Sequence, residues 1–478
     1  MVLISLSMIS VFSCKKLIEI KETDFIDESL ALKTVANTEA ALIGAYAALG
    51  VEMDIRMNGV FSDELKPGEF YAAQSTHEWQ YTSNDIGIRD NYTATTNYYY
   101  VVDRVNRVLR ALPLAEAVAP TDEALRAKVK GEALFLRAFC HFQLFRYYSG
   151  NYDPAGLAMP YAEEPSLESM PRITMGPYFD KIEADITEAK NLIPNDLSDI
   201  FRATRLAVVG LHARVALYKR DWPAAIANST EYINALPLAT GADFEGIWKD
   251  TKNNELAFKL KRTTSSRLGS FYRTLFTKNA TTGDTIVPTS ISWVPSDKLW
   301  NTFDQANDIR FKSYLVNEPK LAAVANKPSK LVNKYSGTGY TSNNENVADI
   351  KIFRTAEMYL IRAEARAESG AFTGANSAES DINELRTARI TGYTPESFAS
   401  KEQAITEIVN ERFKELAFEG HRFWDLKRRS LPIVRDASDA PSSEGTTLPA
   451  NNFRFVLPIP QVEMLANTQM VQNPGYTD

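Results

Sequence analysis

The chain has 478 residues, of which 44% are apolar and 24% charged, and carries a net charge of −7. That length permits a large buried core and two or three domains. The acidic balance argues against a nucleic-acid groove, which would carry a basic footprint, and no stretch approaches the roughly 20 apolar residues of a membrane-spanning helix.

In chain order, Val2–Ser13 is a short apolar run ending at Cys14. This is the pattern of a signal-peptide h-region, so residues 1–13 are expected to be removed. Small Ser13 before Cys14 resembles a lipobox, which makes Cys14 the expected lipidated residue and membrane tether. The other cysteine is Cys140, so a lipidated Cys14 leaves no intramolecular disulfide. Two cysteines and four scattered histidines offer no metal-ligand spacing.

Helical periodicity then dominates. Thr38–Leu49 places Leu42, Ile43, Tyr46 and Leu49 on one face, with Asn37 or Thr38 as cap. Tyr98–Leu112 repeats the pattern with Val101, Val105, Val108 and Leu112. Thr121 opens a long helix to about Tyr148, with Asp122 and Glu123 at the positive end of its dipole. Its wide apolar face predicts burial on several sides. Further helices are predicted at Pro177–Leu192, Thr204–Lys219 and Trp222–Leu236. The last two form a helix–turn–helix hinged at Arg220-Asp221, with small Gly210, Ala213, Ala224 and Ala225 at contact positions, close to one tetratricopeptide unit. Thr355–Glu368 with Ala375–Ala388, hinged at Gly370, is a second such pair.

Residues 51–97 and 240–348 break this rhythm and read as long irregular loops, rich in Gly, Asn, Thr and aromatics. Loops of that length in a compact domain are usually functional, and the aromatic content argues against disorder. The expected fold is mostly α: tetratricopeptide-like helix pairs in a helical-repeat scaffold, with long irregular loops and a few short strands. The expected regions are 14–237, carrying the first loop, and 238–478, carrying the second loop and the C-terminal helix pair.

Among residues that could carry chemistry, Glu411 and Glu415 lie one turn apart, as paired catalytic carboxylates would. Arg412, however, shares a face with Ile405, Ile408, Phe413 and Leu416 and needs a buried acid, so the cluster from Glu407 to Arg428 reads as a structural ion-pair network. Asp63-Glu64 would be the acid/base pair of the remaining alternative, a glycoside hydrolase on a helical scaffold, but adjacent residues rarely converge on one bond. Neither a glycine-rich phosphate loop nor a nucleophile elbow is present in the sequence, so no catalytic residue, metal or cofactor is expected.

The aromatic loops suit a ligand better. Sugar rings offer apolar C–H faces to flat aromatic rings, while their hydroxyls need polar partners. Residues 70–99 supply Phe70, Tyr71, Trp79, Tyr81 and Tyr92 beside Asn84 and Arg89; residues 271–303 supply Phe271, Tyr272, Trp293 and Trp300. Trp79, Tyr81 and Trp293 are the stacking candidates, and Asn84 and Arg89 the polar ones. Trp300 reads as a staple holding its loop to the scaffold.

Five segments, in order, resemble the SusD/RagB family: Gly131–Phe139 with Arg146–Gly150 and Met159-Pro160; Tyr178–Ile186; Ile352–Glu364 with Ile382–Arg386; Ile408–Gly420 with Arg422–Arg428; and Leu457–Gln461 with Gln472–Tyr476. The resemblance implies a lipid-anchored outer-membrane protein, exposed at the cell surface, that binds nutrients without catalysis. Its cargo would be an oligosaccharide, or a peptide as the alternative, and its partner a SusC-like TonB-dependent transporter. It also implies that the ligand site is built from the two loop regions.

Overall fold

The computed structural model describes residues 28–69, 74–263, 277–278, 285–286, 291–323, 326–335, 337 and 347–476. The longer elements, in chain order, begin with α1 (Val35–Ala48), α2 (Glu52–Phe61), β1 (Leu65–Pro67), α3 (Ala94–Ala111) and α4 (Asp122–Tyr148). There follow α5 (Met175–Leu192), α6 (Arg205–Lys219), α7 (Trp222–Ala235), β2 (Leu256–Leu260), β3 (Trp293–Pro295), β4 (Leu315–Asn317), β5 (Lys330–Val332) and β6 (Ile350–Arg354). The chain closes with α8 (Thr355–Glu368), α9 (Ala378–Arg389), α10 (Lys401–Glu415), α11 (Arg422–Arg428) and α12 (Gln461–Ala466).

The helices stack in sequence: α1 on α3 and α4, α3 on α4, α4 on α5, α5 on α6, α6 on α7, α7 on α8, and α8 on both α9 and α10. This is the expected scaffold of stacked helix pairs, each burying the face its neighbour leaves open. At the α6–α7 hinge, Arg220 takes a left-handed conformation (φ 61°) and closes α6, while the Asp221 carboxylate accepts the Ala224 N–H at 3.1 Å to open α7. The short strands pair two by two: β1 with β3, β2 with β6, and β4 with β5. Through the antiparallel β2–β6 pair, the chain returns after the 238–349 excursion and starts α8 against α7. The apolar core is continuous across residues 237–238: Phe135 of α4 meets Phe258 of β2 at 5.5 Å and Phe353 of β6 at 6.4 Å, ring centre to ring centre.

Two local expectations are corrected. The cap of α1 is Thr34, whose hydroxyl accepts the Asn37 N–H, so the helix begins three residues before Thr38; α3 likewise begins at Ala94, four residues before Tyr98. Residues 51–97 are also far more regular than a loop, because α2 and short helices at Gln74–His77 and Ile86–Asn91 lie within them. The reason is visible in α2. Its polar Asp54 and Asn58 are buried beside Ile55, Met57, Val60 and Phe61, so no polar face marks it in the sequence.

Candidate functional site

Strand β1 pairs antiparallel with β3, Pro67 opposite Trp293, and the Gly68 N–H extends the ladder to the Ser292 carbonyl at 2.8 Å. The register has a direct consequence. The chain leaving β1 towards residue 70 and the chain entering β3 from residue 290 lie side by side at one end of this pair. Residues 65–69 and 291–295, some two hundred residues apart in sequence, therefore meet at this edge. Charges brace that edge: Lys66 contacts Asp297 and sits 3.5 Å from Asp439, Lys330 contacts Asp297 at 3.0 Å, and Lys327 reaches Glu69 at 2.5 Å.

The three stacking candidates are placed differently from expectation. Trp79 is 3% exposed, its indole N–H donates to the Phe61 carbonyl at 2.8 Å, and the Arg435 guanidinium lies 4.1 Å above its ring. Arg435 in turn donates to the carbonyls of Val60, Ser62, His77 and Gly445, locking the segment around Trp79. Tyr81 is fully buried; its hydroxyl donates to the Arg454 carbonyl at 2.6 Å, and its ring stacks between Phe61 and Tyr476. Trp293 is 5% exposed and its ring packs 5.1 Å from that of His77. Rings so enclosed offer no open face to a sugar. They are corrected to staples, because bulky aromatics stabilise most by burying their whole surface. Trp300 is a staple as expected, buried edge-on against Phe311 at 4.9 Å.

The polar candidates do reach solvent. Asn84 is exposed in the turn before Ile86–Asn91, and Arg89, exposed on that helix, pairs with Asp90 at 2.6 Å. Phe70, Tyr71, Phe271, Tyr272 and Cys14 lie outside the described residues.

The suspected carboxylates hold the fold together. Asp63 accepts two hydrogen bonds from Arg422, at 2.7 and 2.9 Å, and one from Lys298 at 2.8 Å; burial would raise its carboxyl, but these charges hold it well below the usual range. Beside it, Glu64 is fully buried, accepts the Phe418 N–H at 3.1 Å, and is pushed up to about 8 by burial, with the Asp63 charge adding to the rise. A raised carboxyl in an open cleft would suggest an acid catalyst; here both groups are sealed from substrate. Glu415 meets Arg389 and Arg310 at 3.1 Å and Arg354 at 3.0 Å, and Glu411 contacts Arg310 at 2.5 Å and Arg386 at 2.7 Å. Arg412 has the buried acid it requires, Asp425 at 2.8 Å.

One concavity escaped the sequence reading altogether. A cleft of about 220 Å³ opens between α3, the loop at 160–170 and α12, with Tyr99, Asn106 and Met170 on its walls and Asp103, Glu164, Glu168 and Glu463 around them. Three distant segments form it, so no local pattern could announce it. No helix of the described residues is long and apolar enough to cross a membrane.

Comparison with known proteins fits this architecture. Residues 324–476 match the model of the SusD family, and residues 24–217 match a family described as "Starch-binding associating with outer membrane". SusD-like protein P38 of Formosa agariphila is 23% identical over 91% of both chains, and SusD-like protein P2 of the same organism is 24% identical over 93% of both. The starch-binding protein SusD of Bacteroides thetaiotaomicron is 32% identical over 27% of this chain and 22% of its own. Among solved structures, a SusD superfamily protein from Bacteroides thetaiotaomicron superposes with a TM-score of 0.79 at 21% identity, covering 92% of this chain and all of the other. A laminarin-binding SusD-like protein reaches 0.72 at 21% identity, covering 93% of this chain and all of the other. With matched segments at both ends of the chain and the same helical scaffold throughout, the protein belongs to the SusD/RagB family.

Proposed function

We propose that this protein is a non-catalytic, lipid-anchored nutrient-binding protein of the outer membrane, which captures oligosaccharides at the β1–β3 edge for a SusC-like TonB-dependent transporter. The observation that supports this reading is the meeting of residues 65–69 with 291–295, which flank the two aromatic segments of the sequence. The family description and the named ligands of its relatives, starch and laminarin, supply the ligand class. The division of labour is physical: buried Trp79, Tyr81 and Trp293 fix the base of the site, and solvent-facing groups such as Asn84 and Arg89 meet sugar hydroxyls.

Isothermal titration against starch- and laminarin-derived oligosaccharides, with peptides as a parallel arm, tests the proposal. Binding to at least one glycan is expected, with no new reducing ends released. Asn84→Ala and Arg89→Ala should each weaken it by about tenfold, the worth of one hydrogen bond to a polar or charged group, at unchanged Tm. Trp79→Ala should instead lower stability by about 3–5 kcal/mol, as buried aromatic truncations do. Heat with peptides alone would replace the glycan reading by a peptide-uptake one. Silence in both arms would sink direct capture.

A further inference from the structure

The cleft between α3, the loop at 160–170 and α12 is held open by side-chain hydrogen bonds on both of its sides. From α3, the Tyr99 hydroxyl donates to the Pro160 carbonyl at 2.7 Å and the Asn106 amide to the Ala162 carbonyl at 3.0 Å. From the chain after α12, the Asn467 amide donates to the Met170 carbonyl and the Gln469 amide to the Ser169 carbonyl, both at 2.8 Å. Its charge is one-sided: Asp103, Glu164, Glu168 and Glu463 line it, and no lysine or arginine does. Arg107, one turn along α3, pairs with Asp103 at 2.9 Å. The three glutamates make no ion pair among the described residues. Burial raises the Tyr99 hydroxyl and the Glu463 charge adds to the rise, which sets that carboxylate against the α3 wall.

The surface around this acidic cleft is apolar. Leu167, fully exposed, stands between Ser166 and Glu168 of the wall, and exposed Val462 and Leu465 stand on either side of Glu463. Exposed Leu157 and Val471 join the same surface, since Arg172 donates to both of their carbonyls at 3.2 Å. Exposed apolar groups gathered on one face mark contact with another protein, and a long cationic side chain seated in a pocket is a common centre of such a contact. At about 220 Å³ the cleft is smaller than the roughly 300–1,000 Å³ of small-molecule pockets. Its acids are not grouped to hold a metal ion, and they repel an anionic lipid surface. The net charge of −7 disfavours a second copy of this chain as the occupant.

We propose that this face docks a loop of a different protein, one that presents a lysine or arginine flanked by apolar side chains. The cation enters the cleft between Glu164, Glu168 and Glu463, and the apolar side chains cover Leu167, Val462 and Leu465. The cleft shares no residue with the β1–β3 edge, so docking here does not depend on glycan capture there.

The full-length protein, produced in its own cells with a photoreactive benzophenone amino acid at position 167, provides the test. The same group at the position of exposed Leu197 is the control. Light should join position 167 to one other protein, at a peptide in which lysine or arginine lies next to apolar residues, in a yield well above the control. Reversing two charges, Glu164→Lys with Glu168→Lys, should cut that yield about tenfold. Tm should not change, because both side chains are exposed and brace no other segment. Glu164→Gln with Glu168→Gln should fall between the two, which separates charge from shape. Yield no higher than the Leu197 control, a yield indifferent to charge reversal, or a joined peptide without a basic residue overturns the proposal. Joining to lipid or to a second copy of this chain overturns it as well.

Discussion

Buried charge is the dominant residue-scale feature. Arg310, Arg354 and Arg389 are at most 1% exposed and share the Glu415 carboxylate, with Asp308, Glu255, Glu411 and Glu419 completing their contacts. Burial alone would raise the Glu415 carboxyl; the three guanidinium groups outweigh it and hold it well below its ordinary value. These pairs specify which segments meet more than they add net stability, since a buried ion pair roughly breaks even against apolar packing. Glu64 is the exception, a buried acid without a cation in contact. Its folded value of about 8 lies above the ordinary 4.5. Between those two values the folded protein keeps a proton that the unfolded chain has lost, so this group's contribution falls as pH rises through that window. Glu64→Gln, which retains the acceptor for Phe418 N–H, should match the wild type near pH 5 and exceed it by on the order of 2 kcal/mol near pH 9. Urea unfolding at the two pH values measures this; a variant equally destabilised at both would refute the assignment.

At the scale of elements, α6 packs closely against β6 where a glycine leaves room for a ring. A Cβ on Gly210 of α6 would stand 3.0 Å from the Phe353 ring of β6. Phe353 cannot yield, being fully buried and in edge contact with Phe135 and Phe139. Gly210→Val should therefore cost about 1–3 kcal/mol by overpacking, read as a lower urea midpoint at unchanged slope. The paired helices were legible in sequence because they are long runs with a cap or hinge residue at an end. The 3.6-residue period, Asp221 and Gly370 sufficed for them. α2 was not legible: with Asp54 and Asn58 satisfied inside the core, polar residues stand on its buried side and the apolar periodicity is lost. The aromatic loop residues failed for a related reason. Composition reports that Trp79 and Tyr81 are present, but an aromatic that staples a loop and one that faces a ligand carry the same letter.

For the whole molecule, the proposed tether and the binding edge make one device, and the tether is separable. Cys14→Ala should move the protein from the membrane fraction to the soluble fraction while leaving glycan affinity unchanged, since the proposed anchor residue lies ahead of the described fold. Fractionation and titration of the same preparation check both halves; a variant that stays in the membrane would point to another anchor.

The sequence by itself determined the helical class, the order of the helix pairs, the family and the structural nature of the Glu411–Glu415 cluster. All of these depend on local periodicity, or on residues close together in the chain. Tertiary structure alone decided that residues 65–69 meet 291–295, that Trp79, Tyr81 and Trp293 turn inward, and that Asp63 and Glu64 are sealed away. Each of those depends on a strand register or a packing choice between residues hundreds of positions apart. Such contacts are set by the sum of burial and charge over the whole core, which no single stretch of chain encodes.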